Sequence, residues 1–346
     1  MPPIPLPTPP SPALPLPALM PARRAVLAGA VALPLFGIRR AAAQQLKFRL
    51  GHPLTTADAA HTAMVALADG LKQRSSGRID VTVFPSDQLG AQADLGEMVR
   101  QGATVIQLTD ALFLGQYVAD ASVLQAPYLM DDPDTFQKLV GTPWLKDLDD
   151  RLAAKGMRVI SWNNYFGTRQ MLAKRAIHKP TDLAGLNFRC AAAPMYVEMV
   201  KAMGARPVTT GFAEVYTGLA QGSLDMLEAP LPTMWASKFY EQAKFAMLTR
   251  HMIGWDPVVM SEAVFRAMPS DLQKIVLEAA ANAADVMTKL KKQEEQEMIA
   301  RYRTAGVTII EDVDREAFRR ATAPIYDRYP GFTPGIKTTV QALLAK

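Results

Sequence analysis

Two arginines stand at or near the ends of predicted buried strands in the middle of this chain. Arg189 closes the apolar run of "GLNFRC", and Arg169 follows the aromatic run within "MRVISWNNYFGTRQML". A buried charge is costly unless it is paired, and the planar guanidinium suits a carboxylate held by two parallel hydrogen bonds. The two side chains therefore predict a site for a small organic acid. The alternative is that Arg189 forms an ion pair with Glu198 or Glu228.

Further candidates are side chains near the ends of other predicted strands, because ligands of open parallel sheets bind there, together with Asn164 and Tyr165 on the same strand as Arg169 and a nearby tryptophan. The aromatic candidates have packing in the core as their alternative role, and the acidic one could cap a helix. The candidates are His52, Gln92, Asp110, Asn164, Tyr165, Phe212, Ala229 and Trp235.

The chain has no residue pattern typical of catalysis or metal binding. Its four histidines are scattered singly, which argues against a metal site. Cys190 is the single cysteine, so an internal disulfide is impossible, and no base or second thiol can be assigned to it. No nucleophile elbow or phosphate-binding loop is present. We therefore predict no enzyme activity, no cofactor and no metal.

The net charge of +5 comes almost entirely from residues 1–43, which contain four arginines and no acid. The remainder has 34 basic and 33 acidic residues, so it predicts no nucleic-acid surface.

The N-terminal segment is typical of an export signal. "RRAVLAGAVALPLFGI" pairs two arginines with an apolar run of about fourteen residues, too short to span a bilayer. "AAAQQ" supplies small residues for cleavage after Ala43, which predicts a periplasmic protein. The twin arginines favour Tat export, with Sec export as the alternative. The Pro-rich residues 1–19 are expected to be disordered, and Met20 is an alternative start.

Two stretches of the remaining chain share the order β-α-β-α-β. Each joins its second helix to its third strand through Gln-Gly, at Gln101-Gly102 and at Gln221-Gly222. Such alternation predicts parallel sheets covered by helices. The expected fold class is therefore α/β, a two-domain binding fold with a ligand cleft between the domains.

One predicted helix is too long for a single domain. Nothing interrupts the helical pattern from 270 to 306, which would span roughly 54 Å. We expect it to lie across both domains; two helices broken near 291–295 are the alternative. The predicted division is residues 1–43 as the start and signal, 44–166 with 255–294 as domain I, and 167–254 with 295–346 as domain II.

Three stretches together resemble the solute-binding proteins of TRAP transporters, of the DctP type. They are "GRIDVTVFPSDQLG", "FGTRQMLAKRAIHKPTDLAGL" and "GLNFR…AMGARPVTTGFAEVYTGLAQGSLDMLEAPLPTMWASKFYEQAKF", and the resemblance covers essentially all of 46–346. It implies a periplasmic binding fold of two domains that closes on its ligand. It also implies delivery of that ligand to a membrane permease driven by an ion gradient.

The resemblance also implies roles for particular residues. Arg189 matches the arginine that binds the substrate carboxylate, and Arg169 a second arginine; Phe212, His52 and Asp110 match positions near the ligand. Where many members have Asn after the last strand of this region, the chain has Ala229, which leaves more room and one donor fewer. A keto, hydroxy or aromatic monocarboxylate is therefore favoured over sialic acid or another sugar acid with many hydroxyls.

Two alternative functions are a binding protein of an ATP-driven importer and a secreted α/β enzyme.

Overall fold

The computed structural model describes residues 45–346, so the predicted Pro-rich start, the signal peptide and the cleavage after Ala43 lie outside the described residues. The strands are β1 (Leu46–Gly51), β2 (Ile79–Phe84), β3 (Val105–Leu108), β4 (Met157–Ala173), β5 (Asn187–Cys190), β6 (Arg206–Thr209), β7 (Met226–Pro230), β8 (Phe245–Ser261) and β9 (Thr308–Ile310). The helices are α1 (Ala59–Arg74), α2 (Gln92–Arg100), α3 (Ala111–Leu114), α4 (Pro143–Ala154), α5 (Pro194–Met203), α6 (Val215–Gln221), α7 (Leu231–Ala236), α8 (Glu262–Ala267), α9 (Ser270–Thr304), α10 (Arg315–Thr322), α11 (Ile325–Arg328) and α12 (Ile336–Leu344).

The two predicted β-α-β-α-β units are present, as β1 to β3 and as β5 to β7. In both units the second helix ends at a Gln-Gly pair for the same reason. Gly102 and Gly222 adopt φ values of +90° and +82°, the left-handed conformation that ends helices and that glycine adopts without strain. The shared Gln-Gly pair therefore marks equivalent helix ends.

The strands of the described residues form one mixed sheet, in the order β2-β1-β3-β8-β4-β7-β5-β6, with β9 beside β8. β1 runs parallel to β2 and β3, and β5 runs parallel to β6 and β7. Between these two groups lie β4 and β8, each 17 residues long and antiparallel to each other. The separate parallel sheets expected from the sequence are thus two parts of one sheet, because β8 also pairs with β3 and β4 with β7.

Helix α9 is continuous over 35 residues, which confirms the single long helix and excludes a break near 291–295. Its first half packs in one apolar core with α1, through residues such as Leu272 and Val276. Its second half packs in another core, through Met298 and Tyr302. A helix of about 52 Å is stable here because two cores bury its successive halves. No helix within 45–346 combines the length and the apolar character needed to cross a membrane.

Candidate ligand-binding site

The carboxyl ends of strands from both parallel groups meet at one cavity. Six of the residues predicted from the sequence line it. They are Gln92, Asp110, Arg169, Arg189, Phe212 and Ala229. The remaining lining residues are Pro53, Leu54, Leu108, Thr109, Phe166, Ala191, Tyr196 and Asp256.

Arg189, on β5, is buried at 4% exposure and has no acidic partner in the part of the chain that the structure describes. Its Nε and Nη2 donate hydrogen bonds to the carbonyl oxygen of Thr210 at 3.2 and 2.9 Å. The guanidinium carbon lies 5.4 Å from the ring centre of Phe212. Burial lowers the pKa of Arg189, so its charge is held at a cost. The side chain is thus anchored, and its remaining donors are free for an anion.

Arg169, on β4, has the partner that Arg189 lacks. Its Nε and Nη2 lie 2.5 and 2.7 Å from the two carboxylate oxygens of Glu228, and both side chains are buried. His251 lies 3.2 Å from the same carboxylate. Burial acts to raise the pKa of Glu228, but Arg169 and His251 outweigh it and hold that pKa well below its usual range. Arg169 therefore lines the cavity with its charge already balanced.

Two buried acids share the cavity, Asp110 and Asp256. Asp110 caps α3 by accepting the Phe113 N–H at 2.9 Å, and Tyr196 donates its hydroxyl to the second oxygen at 3.1 Å. Asp256 accepts a hydrogen bond from Gln125 at 3.0 Å. Burial raises the pKa of both acids, and the charge of Asp110 raises that of Asp256 further. Asp256 is absent from the sequence prediction because it lies inside a long strand, without a strand-end signal.

A second recess adjoins the cavity and shares Arg189 and Phe212 with it. It also contains Asp87, which follows β2, and Glu214, which precedes α6. Burial raises the pKa of Asp87 to about 6, with Arg189 opposing the rise and Glu214 adding to it. Carboxylates from both parallel groups therefore face the same recess.

Four predicted site residues lie outside the cavity lining, and two of them make polar contacts beside it. The Nε2 of His52 lies 3.2 Å from the Nδ1 of His61, and burial lowers the pKa of His52 to about 4. Asn164 donates its amide to the carbonyl oxygen of Asp256 at 2.8 Å. The Nδ1 of His52 accepts the backbone N–H of Leu54 at 3.2 Å, so both side chains bond to the backbone of cavity residues and the structure favours a supporting position for them.

The other two, Tyr165 and Trp235, pack beside α9. The Tyr165 hydroxyl donates to Glu295 at 2.7 Å, and Trp235 stacks on Tyr240 with ring centres 4.2 Å apart.

Cys190 is buried, and burial raises the pKa of its thiol to about 11, which makes it a poor nucleophile. Among the described residues, no group of three or more His, Cys, Asp or Glu could hold a metal ion.

The fold and the cavity together define a two-domain solute-binding protein. Two groups of parallel strands are joined by two long crossing strands, and a buried cation without an acidic partner faces the space at the strand ends. Residues 50–330 match the family described as bacterial extracellular solute-binding protein, family 7, or DctP. The chain belongs to this family, the solute-binding proteins of TRAP transporters, whose members are periplasmic binding proteins and not enzymes.

Relatives of this chain show the range of small acids that the family binds. The 2,3-diketo-L-gulonate-binding periplasmic protein YiaO of Escherichia coli is 32% identical over 291 residues, 84% of this chain and 88% of that protein. A TRAP solute-binding protein of Actinobacillus succinogenes with bound L-galactonate has a TM-score of 0.83 at 31% identity, covering 86% of this chain and 99% of that chain. A TRAP solute-binding protein of Desulfovibrio salexigens, in complex with diglycerolphosphate, has a TM-score of 0.84 at 30% identity. The match covers 87% of this chain and 97% of that chain.

Proposed function

We propose that this protein captures a small organic acid in the periplasm and delivers it to the membrane permease of a TRAP transporter. In this proposal the mature protein begins after cleavage at Ala43, and the guanidinium of Arg189 binds the carboxylate of the solute. The observation that carries the proposal is the burial of Arg189 in the cavity wall without an acidic partner. A bound carboxylate would supply the counter-charge that the described residues do not.

The proposed ligand is a small keto or hydroxy acid. The cavity is lined by apolar side chains and a few converging polar groups, as sites for small molecules are. The solutes named for YiaO and for the Actinobacillus protein are hydroxylated carboxylates, and the Desulfovibrio protein was found with a phosphate diester. A phosphate group could use the same arginine, so organophosphates are the competing ligand class.

Domain closure is the second part of the proposal. Residues 44–166 with 255–294, and 167–254 with 295–346, would move as two bodies and close the cavity around the acid. The wall supports this division, because Asp110 belongs to the first body and Arg189 to the second. A ligand in contact with both walls would stabilise the closed state.

The proposal is tested by calorimetry with the best ligand from a thermal-shift screen of organic acids and organophosphates. We expect Arg189→Ala to weaken binding by about 30-fold to several thousandfold, because losing a buried charge-assisted pair typically costs about 2–5 kcal/mol. Arg189→Lys keeps the charge but loses the planar fork, so it should weaken binding less and alter the preference for carboxylate shape.

The matched control is Arg206→Ala, on the neighbouring strand β6, where the arginine is exposed and contacts the carbonyl oxygen of Gly185. This variant should bind like the wild type. Folded Arg189→Ala protein that bound the acid within about twofold of wild type would refute the role of Arg189. A screen in which only neutral sugars or amines raised the melting temperature would refute the ligand class.

A further inference from the structure

The middle of α9 carries a lysine whose side chain is fully buried. Lys291 is 0% exposed, and its Nζ lies 2.6 Å from Oδ1 of Asp58 and 2.9 Å from Oγ1 of Thr233. The ring centre of Phe166 is 5.1 Å from the same nitrogen. An ammonium group has three N–H donors and is costly to bury without partners. The two oxygens and the aromatic ring together supply those partners.

The partners of Lys291 come from both bodies of the proposed division. Asp58 caps α1 in the first body, where its Oδ1 also accepts the N–H of Ala60 at 2.8 Å. Lys291 lies in the part of α9 that is assigned to the same body. Thr233 lies in α7, which belongs to the second body. The ion pair with Asp58 is therefore internal to one body, whereas the hydrogen bond to Thr233 crosses between the two.

The ion pair fixes the lysine to the first body. Oδ2 of Asp58 is buried and has no hydrogen-bond donor among residues 45–346, so the carboxylate depends on Lys291 for its counter-charge. Separating the two charges would leave each of them buried and unpaired. The bond to Thr233 involves only one charge, so it is the contact that a movement of the second body breaks first.

The bodies are arranged here so that they enclose the cavity. Arg189 in the cavity wall is 4% exposed and Arg169 is 6% exposed, so entry of a solute requires an opening movement. Lys291 is not part of that wall. It lies against the ring of Phe166, which is. Any effect of this lysine on affinity must therefore act through the placement of the two bodies or through its charge.

We propose that the hydrogen bond from Lys291 to Thr233 stabilises the closed arrangement, and that Lys291 is a positioning residue which raises affinity without touching the solute. This inference rests on the proposed domain closure and assigns part of its free energy to one buried contact. Opening breaks the bond to Thr233 and keeps the ion pair with Asp58. A bond that exists only in the closed arrangement raises the affinity for every enclosed solute by the same factor.

Thr233→Val tests the inference, because it removes the hydroxyl and keeps the β-branched shape and every charge. Replacing Lys291 instead would alter the cavity, since its charge acts on Asp256 in the wall. The probes are the three tightest-binding compounds from the screen of organic acids and organophosphates. We expect Thr233→Val to weaken calorimetric binding of all three by one common factor of about three- to tenfold, as for the loss of one hydrogen bond.

Two further measurements separate an effect on closure from support of the fold. Stopped-flow experiments should show dissociation from Thr233→Val accelerated by the same factor, with association changed by less than about twofold, because the bond forms after encounter. The melting midpoint of the unliganded variant should stay within about 2 °C of wild type, because the open protein lacks the bond. A lower midpoint with unchanged affinities would assign Thr233 a structural role and overturn the inference.

Three control variants isolate the bond itself. Thr233→Ser keeps the hydroxyl and should bind the probes within about twofold of wild type. Asp58→Asn with Lys291→Met removes both charges, and adding Thr233→Val to this pair should change affinity by less than about twofold, because the donor is already absent. Thr322→Val removes a buried hydroxyl that donates within α10 to the carbonyl oxygen of Phe318 at 3.0 Å, and it should bind like the wild type.

The same titrations distinguish failure of this inference from failure of the proposed function. Wild-type affinities in Thr233→Val, unequal losses among the three probes, or equal losses in Thr233→Val and Thr233→Ser would each overturn the inference while Arg189→Ala still weakened binding. Probes that bind Arg189→Ala as tightly as wild type would refute the carboxylate site instead. A screen in which no compound binds would refute the proposed function and this inference with it.

Discussion

At the scale of single residues, two buried arginines with similar sequence settings have different electrostatic roles. Arg169 is balanced by Glu228 inside the protein, whereas Arg189 contacts only a carbonyl oxygen and an aromatic ring. The desolvation of Arg169 is therefore offset in the unliganded protein. Arg189 has no such ion pair within residues 45–346, which is why we propose that it binds the charge of the ligand.

Asp87 predicts a pH dependence of binding. Its pKa of about 6 in this structure lies above the ordinary 3.8, chiefly because it is buried. A Cβ on Gly211 would lie 3.7 Å from an oxygen of Glu214 and 4.0 Å from one of Asp87, so the two carboxylates approach the same point. Opening the recess would expose Asp87 to water and lower its pKa. The closed form then binds the proton more tightly, and closure becomes less favourable as pH rises from 4 through 6.

We therefore expect Asp87→Asn to bind the ligand about three- to tenfold more tightly than wild type at pH 7, and about equally at pH 4; this range allows for screening by solvent at a partly exposed site. Calorimetry of both proteins across this pH range measures the ratio of their affinities for the ligand. Titration of the ligand and of the buried acids Asp110 and Asp256 affects both proteins equally, so it does not change this ratio. Identical pH profiles for the two proteins would show that Asp87 does not oppose closure.

At the scale of elements, β4 and β8 are the strands that connect the two parallel groups. Their pairing is irregular: the register shifts between Tyr165 and Gly167 and at three other places along β4. Gly167 pairs with Gly254 at the point where the predicted domain boundaries fall. Two facing glycines in irregular strands lie where the hinge of the proposed closure would fall.

Gly167→Ala should destabilise the protein by about 1–3 kcal/mol, because Gly167 adopts φ of +132°, which only glycine adopts without strain. A Cβ there would also lie 2.7 Å from the Cβ of Pro230. The control is Gly70→Ala in α1, where the nearest side-chain atom would be 3.7 Å away and where a gain of about 0.5–1 kcal/mol is expected. Urea unfolding measures both changes. Unfolding of Gly167→Ala at the wild-type midpoint would rule out this constraint on β4.

At the scale of the whole molecule, α9 connects the parts that would move. Its buried Lys291 contacts Asp58, the cap of α1, and Thr233, on α7. These two partners belong to the two different bodies of the proposed division, and the helix packs in a core on each side. The closure proposed above would therefore have to bend or shift α9, which spans both bodies.

We expect small-angle scattering to show a smaller radius of gyration at saturating ligand than without ligand, because closure removes open space between the bodies. Arg189→Ala, measured at the same ligand concentration, should keep the radius of the unliganded protein. An unchanged wild-type radius at a concentration that calorimetry shows to be saturating would count against closure.

Much of the architecture follows from local patterns in the sequence. The alternation of strands and helices, the Gln-Gly helix ends and the uninterrupted helix from residue 270 depend on neighbouring residues, and the structure confirms them. Strand ends also identified five residues of the cavity wall, among them Arg189 and Asp110, because parallel strands present their carboxyl ends at one edge, and the strand between the two units supplied the sixth, Arg169.

The tertiary structure decided which charges meet. Arg169 and Glu228 are 59 residues apart in sequence, and Asp256 reaches the cavity only through the register of β8 against β3. Tyr165, in the middle of β4, and Trp235, in α7, were candidates from the sequence, yet both side chains contact residues of α9. Secondary structure depends on residues close in sequence, whereas the partner of a buried charge depends on how distant strands pair. That pairing is why the sequence alone predicted Arg189 and Asp110 in the cavity wall but not Asp256.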